Sequence, residues 1–254
     1  MKKILVYTCI MAVFIVGIYL LLRSSKETVI PKEIENEVTQ LTLVVDKSLV
    51  TDITYTIPTK YTTFDVFYPQ FKNASSLFNE KIEDLVMGEI ANHSKISEEN
   101  WKGRYNTRAP GEKISEFPPN DEKYSLSISW VPIQLNKNFI SGLLVFSGYV
   151  GGAHGYENVI SLNYNVKNQK KITLADLFPD DPQYLKTISE FARKDLRLQF
   201  GKNVEEDMLL AGTTPEQINF NVFTFTDDKI TFYFNQYQVA PYAMGQSSVS
   251  MPRN

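Results

Sequence analysis

Between Tyr124 and Trp130 the chain alternates without a break: Tyr124, Leu126, Ile128 and Trp130 share one parity, Ser125, Ser127 and Ser129 the other. Successive side chains of a strand point to opposite faces, so this period predicts a half-buried β-strand. A helix would repeat its apolar positions every three to four residues instead. The same period recurs. Ile53, Tyr55 and Ile57 alternate with Asp52, Thr54 and Thr56, and Ile160, Leu162, Tyr164 and Val166 with Ser161, Asn163 and Asn165. Phe64, Val66 and Tyr68 follow it less cleanly, because Phe67 interrupts the polar side, and Pro69 is expected to end that strand. Residues 139–150 are apolar on both faces, as a central strand would be. Aromatics, 13% of the chain with 14 Tyr and 16 Phe, fit pleated surfaces.

Two segments follow the helical period. Over residues 76–92, Phe78, Ile82, Leu85, Val86 and Ile90 form one stripe. His93 then falls at the helix end, where a cation suits the macrodipole. Residues 94–123 are polar, carry Pro110, Gly111, Pro118 and Pro119, and read as a long surface excursion. Thr173 with Asp176 resembles a capping box. Asp181 as N-cap and Pro182 at N1 open the second long helix, with Leu185, Ile188, Ala192 and Leu196 inward and Gly201 closing it. Residues 220–225 and 230–234, joined around Asp227-Asp228, read as a β-hairpin, and residues 247–251 as a last short strand. The order predicts an α+β fold, with helices packed on a mainly antiparallel β-sheet after an N-terminal transmembrane helix. A split near residue 167 into two domains and a single continuous unit both fit this order.

The transmembrane expectation rests on 19 uncharged residues that begin at Ile4 and close with Leu22, flanked by Lys2, Lys3, Arg23 and Lys26. As a helix the run would span roughly 28 Å, about a bilayer's hydrocarbon core. It exceeds the roughly 7–15 residues of a signal-peptide core and no Ala-x-Ala-like site follows. An uncleaved signal anchor is therefore expected over a cleaved signal peptide, with the short basic N-terminus cytoplasmic and the bulk of the chain extracytoplasmic at the cell membrane. Four segments result: anchor 1–26, tether 27–45, and two folded parts, 46–166 and 167–254.

Scarcity removes several chemistries. One Cys, Cys9 inside the apolar run, forms no internal disulfide, and two His leave little for a metal site. No cofactor is expected. The net charge of −3 speaks against a nucleic-acid partner. With Lys2, Lys3 and Arg23 set aside, 23 basic residues face 29 acidic ones, a formal charge of −6. An acidic outer surface keeps a domain soluble, and it also steers cationic partners.

The run Tyr149-Val150-Gly151-Gly152-Ala153-His154-Gly155, then SLNYNVKNQKKITLADLF, and YFNQYQVAPYAMGQSSVSMP after residue 232 resemble the C-terminal domain of RsiV-type anti-sigma factors, membrane proteins that sense lysozyme. FDVFYPQF and the helix after it resemble the accessory domain of PdaC-type peptidoglycan deacetylases. Together the resemblances cover roughly residues 50–252, with the Gly-Gly-Ala-His segment near their junction. They imply a PdaC-like domain over 46–166, an RsiV-like domain over 167–254, and an extracytoplasmic binding or sensing role. The implied partners are cell-wall glycan or a wall-directed protein such as lysozyme. Only Met1, Lys2 and Lys3 precede the apolar run, where the anti-sigma relatives hold a sigma factor. His93 and His154 stand 61 residues apart, unlike clustered deacetylase ligands. The expectation is a binding module without a deacetylase catalytic domain. The rival is a glycan hydrolase or deacetylase that uses carboxylates without a metal.

Gly151, Gly152, His154, Tyr156, Tyr237 and Tyr242 are the candidate ligand-binding residues; no residue is assigned a catalytic or metal-binding role. Adjacent glycines suit a tight bend between strands, which explains them without a ligand; His154 offers a ring as a binding contact. Tyr233, Phe234, Tyr237 and Tyr242 crowd around Asn235, Gln236 and Gln238. Aromatic faces beside amides suit sugars, whose C–H surfaces stack and whose hydroxyls pair, although a core-packed strand end explains the same cluster. Asp180-Asp181 and Glu205-Glu206-Asp207 read as helix caps and first-turn acids.

Overall fold

The alternating segments form strands and the striped ones helices. The computed structural model describes residues 45–253, which belong to one compact unit. The anchor, most of the tether and their orientation lie outside the described residues. Among those described, no helix is long and apolar enough to cross a membrane. A six-stranded sheet takes β1 (Val50–Pro58), β2 (Thr62–Phe71), β3 (Tyr124–Leu135), β4 (Phe139–Tyr149), β5 (Tyr156–Asn165) and β6 (Lys170–Lys171) in sequence order. Every neighbouring pair is antiparallel except β2 and β3, which run parallel across the crossover helix α1 (Ser76–Asn106). The fold is α+β with a mainly antiparallel sheet. Val45 makes a parallel bridge to Leu135.

Pro69 does not end β2. It pairs with Asp52 of β1, and the β2–β3 ladder has already stopped at Val66. Lacking an N–H, a proline is tolerated where one side of a strand needs no donor.

α1 also runs past its expected end. Ser75 caps it, accepting from Phe78 N–H at 3.3 Å, and nothing in residues 93–106 breaks a helix. Ile82 and Val86 are buried, with Phe78 and Ile90 packed at the margin, while Leu85 turns to solvent. Beyond them the buried positions are His93, Ser97 and Trp101, spaced four apart. An inward face carried by a histidine and a serine lacks the apolar signature of a helix. His93 therefore lies inside α1, not at a dipole end, and the surface excursion shrinks to residues 107–123. Ion pairs Lys95–Glu99 and Glu98–Lys102 lie on its solvent side, where water screens them and they contribute little.

The second half builds its own core. α2 (Tyr184–Phe200) buries Ile188, Ala192, Leu196 and Phe200 along one stripe. It begins later than expected: Asp181 accepts from Gln183 N–H at 2.8 Å and from Thr187 Oγ1 at 3.1 Å, while Gln183 takes the cap position. Gly201, at φ 55°, closes it. After α3 (Glu206–Gly212), a 3₁₀ turn over Gln217–Phe220 takes Phe220, where a strand was expected to begin, and the strand starts only at Phe223. The three-stranded sheet is β7 (Phe223–Phe225), β8 (Lys229–Phe234) and β9 (Ser247–Pro252). Phe220, Phe223, Phe225, Phe232 and Phe234 fill the space under α2.

The halves meet across the face of β4 and β5 opposite α1. Ser141 Oγ accepts from Phe225 N–H at 2.8 Å and donates to Asn163 Oδ1 at 2.8 Å. Asn163 Nδ2 donates to Phe223 O at 2.7 Å. This buried pair satisfies the backbone of β7 as a neighbouring strand would.

Candidate functional site

β4 ends at Tyr149 and β5 begins at Tyr156, so the glycine-rich loop has six residues to reverse the chain. Gly151 and Gly152 adopt φ 93° and 92°, a region costly for any residue with a Cβ. A Cβ at Gly151 would also stand 3.3 Å from the Tyr124 ring. Asn100 of α1 holds the loop by donating to Val150 O at 2.7 Å, and Tyr149 donates to Gly152 O at 3.1 Å. Between this loop, α1 and Glu122 opens a cleft of about 640 Å³. Its lining includes the rings of Tyr124 and Tyr149, edge to face at 6.1 Å, and the pair Arg104–Glu122 at 3.4 Å. Trp101 stands behind, 6.3 Å from Tyr124, with the Arg104 guanidinium 5.1 Å over its ring.

The other candidates lie elsewhere. The His154 ring stacks on Tyr242 at 3.9 Å and 24°. Its Nδ1 lies 2.8 Å from Gly155 O, the carbonyl that also accepts from Tyr242 OH at 3.0 Å. Gly155 is tight for a steric reason, since a Cβ there would come 2.7 Å from Gly148 O. Tyr237, at φ 66°, sits 5.6 Å from Tyr242. The loops around Gly151 and Tyr242 therefore touch through stacked rings, and His154, Tyr237 and Tyr242 are not among the residues lining the cleft.

Tyr156 joins a third group. Its hydroxyl donates to Glu89 Oε1 at 2.8 Å and stands 2.9 Å from His93 Nδ1. With the Tyr156 O–H directed at Glu89, the imidazole donates from Nδ1 to the phenol oxygen, and its Nε2 is buried without a partner. His93 is wholly buried, with Phe64 edge-on at 5.8 Å. Burial pushes its pKa down to about 4, so it is neutral at physiological pH. Burial first, and then the Glu89 carboxylate, raise the Tyr156 phenol far above its ordinary value. The Tyr156 ring lies across Gly148, where a Cβ would come 2.5 Å from it.

A family model described as deacetylase PdaC matches residues 56–157, and one described as a protein of unknown function, DUF3298, matches residues 175–254. The chain thus joins a region similar to PdaC, the PdaC region, to one similar to DUF3298, the DUF3298 region. Over 106 residues it is 32% identical to the peptidoglycan-N-acetylmuramic acid deacetylase PdaC of Bacillus subtilis, covering 42% of this chain and 23% of that protein. Over 114 residues it is 29% identical to an esterase of Mycobacterium tuberculosis, covering 45% of this chain and 49% of that one. The chain thus spans about a quarter of the first relative and half of the second. A crystal structure of a DUF3298 family member from Bacteroides fragilis shares the fold, with a TM-score of 0.57 and 19% identity over 80% of this chain and 89% of that one.

The cleft and the Glu89–Tyr156–His93 group lie wholly within the PdaC region, whereas Tyr237 and Tyr242 come from the DUF3298 region. His154 is where the two regions stack. Sequence reasoning found the glycines but missed Asn100, Arg104, Glu122 and Glu89. Asn100 and Arg104 are four apart on α1, a signal hidden once the helix was expected to end before them. Glu89 and His93 are likewise four apart, yet nothing local names Tyr156 as their partner.

Proposed function

We propose that this protein is a membrane-anchored, extracytoplasmic binding module that holds cell-wall glycan in the cleft beside Gly151-Gly152 and does not turn it over. The observation that carries this reading is the cleft's lining: two tyrosine rings, an arginine–glutamate pair and a loop kept open by glycines. Sugar C–H faces stack on aromatic rings, while hydroxyls pair with guanidinium, carboxylate and peptide groups. Glu122 lies 3.4 Å from Arg104 at the rim of the cleft, where its oxygens can accept from sugar hydroxyls. The PdaC region supports the wall assignment, because the Bacillus subtilis relative is named for peptidoglycan N-acetylmuramic acid. The apolar run that closes with Leu22 supports the anchor, and the short basic segment before it supports an extracytoplasmic folded part.

The test incubates the full chain, in detergent micelles, with purified insoluble peptidoglycan. Retention with no release of soluble glycan or acetate is expected. Release of either product contradicts a binding role, and failure to be retained contradicts the glycan assignment.

A further inference from the structure

β5 closes one side of the six-stranded sheet, yet most of its outer edge is unpaired. β6 pairs with it only at Tyr164 and Asn165. Ile172 N–H still donates to Asn163 O at 3.0 Å, and the chain then turns away. Among the described residues, no strand pairs with the outer side of β5 over residues 156–162. In an antiparallel ladder, alternate residues turn both N–H and C=O to the same side. Asn163 turns outward, so Ser161, Val159 and Glu157 do as well. An edge of this kind is a template for another chain.

This edge is recessed. It forms the floor of a groove of about 660 Å³, with Asn158, Val159, Ile160 and Ser161 in its lining. One wall is α1, through Asp84 and Glu89; the other is Asn221, Val222 and Asn235 of the DUF3298 region. Ser161 Oγ ties floor to wall by donating to Asn221 O at 3.3 Å. The free edge is about 24 Å long at about 3.4 Å per residue, the length of an extended peptide of about seven residues. Asp84 and Glu89 stand on the α1 wall beside residues 158–161, while Lys81 and Lys171 flank the edge where it runs on toward β6. The stretch of groove beside the two carboxylates is therefore complementary to cationic side chains.

The geometry points to strand addition: an extended, basic segment of a partner protein pairs with β5 beyond β6, its lysine or arginine side chains turned toward Asp84 and Glu89. The chain's acidic surplus would steer such a partner to it. This surface is distinct from the glycan cleft, which is lined by the other end of α1 and by β3, so either assignment stands if the other fails.

The test follows amide hydrogen exchange of the full chain in detergent with three blocked probes: (Lys-Val)₄, its fully N-methylated form, and (Glu-Val)₄. The first is expected to slow exchange of residues 156–163 about tenfold, and the other two to leave it unchanged. Asp84→Lys, on the exposed helix face, is expected to weaken (Lys-Val)₄ binding about tenfold. Equal binding of the N-methylated probe would reduce the effect to charge alone and overturn strand addition. So would protection confined to other segments. Protection of 156–163 without a peptide, rising with protein concentration, would assign the edge to a second copy of this chain. Tighter binding of a peptide of residues 36–44 would assign it to the chain itself.

Discussion

α1 and α2 both lie on sheets, but they bury different chemistry. α2 presents Ile188, Ala192, Leu196 and Phe200 to a core of five phenylalanines, and its one buried polar side chain, Ser189, donates to Thr213 O at 2.5 Å. α1 buries His93 and Ser97 beside Ile82, Val86 and Trp101. His93 Nε2, Ser97 Oγ and Thr62 Oγ1 of β2 have no partner there. In the DUF3298 half, the sole buried side-chain atom so left among the described residues is Gln246 Nε2. An unmet polar atom costs about 1–3 kcal/mol in a dry interior. The half that carries both the cleft and the recessed edge thus holds more buried polar side-chain atoms without a protein partner than the other half does.

That contrast sets the order of expected effects. Phe232→Ala, which opens a cavity in the phenylalanine core, is expected to cost about 3–5 kcal/mol in urea unfolding of the full chain. No substitution on the polar face of α1 should match it at pH 7, and one that did would break the comparison.

The next effect depends on pH. His93 has a folded pKa of about 4 against about 6.5 when unfolded, so between those values the unfolded chain binds more protons. Stability should rise from about pH 4 to 6.5 and be flat above, a change of about 2–3 kcal/mol from this residue. His93→Leu should flatten that slope in unfolding measured from pH 4 to 8. A slope that survives the substitution assigns the dependence to other groups.

The smallest effect is a matched pair. Ser189→Ala removes a made hydrogen bond and leaves Thr213 O to Arg193 alone, at about 1 kcal/mol. Ser97→Ala removes a hydroxyl that pairs with nothing and should be neutral or stabilising by up to about 1 kcal/mol. Equal losses from both would show that the two interiors are alike.

The same chemistry decided what was legible in the sequence. β3, β5 and the central β4 were readable because their alternation reports which face is buried. α2 was readable because its stripe is apolar and Gly201 ends it. The last four turns of α1 were not, since a buried histidine and serine at helical spacing look like a surface. That error hid Asn100 and Arg104, and with them one wall of the cleft. Gly151 and Gly152 were conspicuous, and the backbone explains why: both need positive φ. Tyr242 and His154 were each singled out, but their stacking is a long-range contact that no local period encodes.

Glycan bound as proposed sits beside the Gly151-Gly152 loop, on Tyr124 and Tyr149, and not on the exposed ring of Tyr237 near the His154–Tyr242 stack. The most direct measurement compares retention of the full chain on purified peptidoglycan for Tyr149→Ala and Tyr237→Ala. An aromatic contact worth about 1–1.5 kcal/mol predicts roughly tenfold weaker retention for Tyr149→Ala, with Tyr237→Ala unchanged. Loss with Tyr237→Ala while Tyr149→Ala binds as before would contradict it.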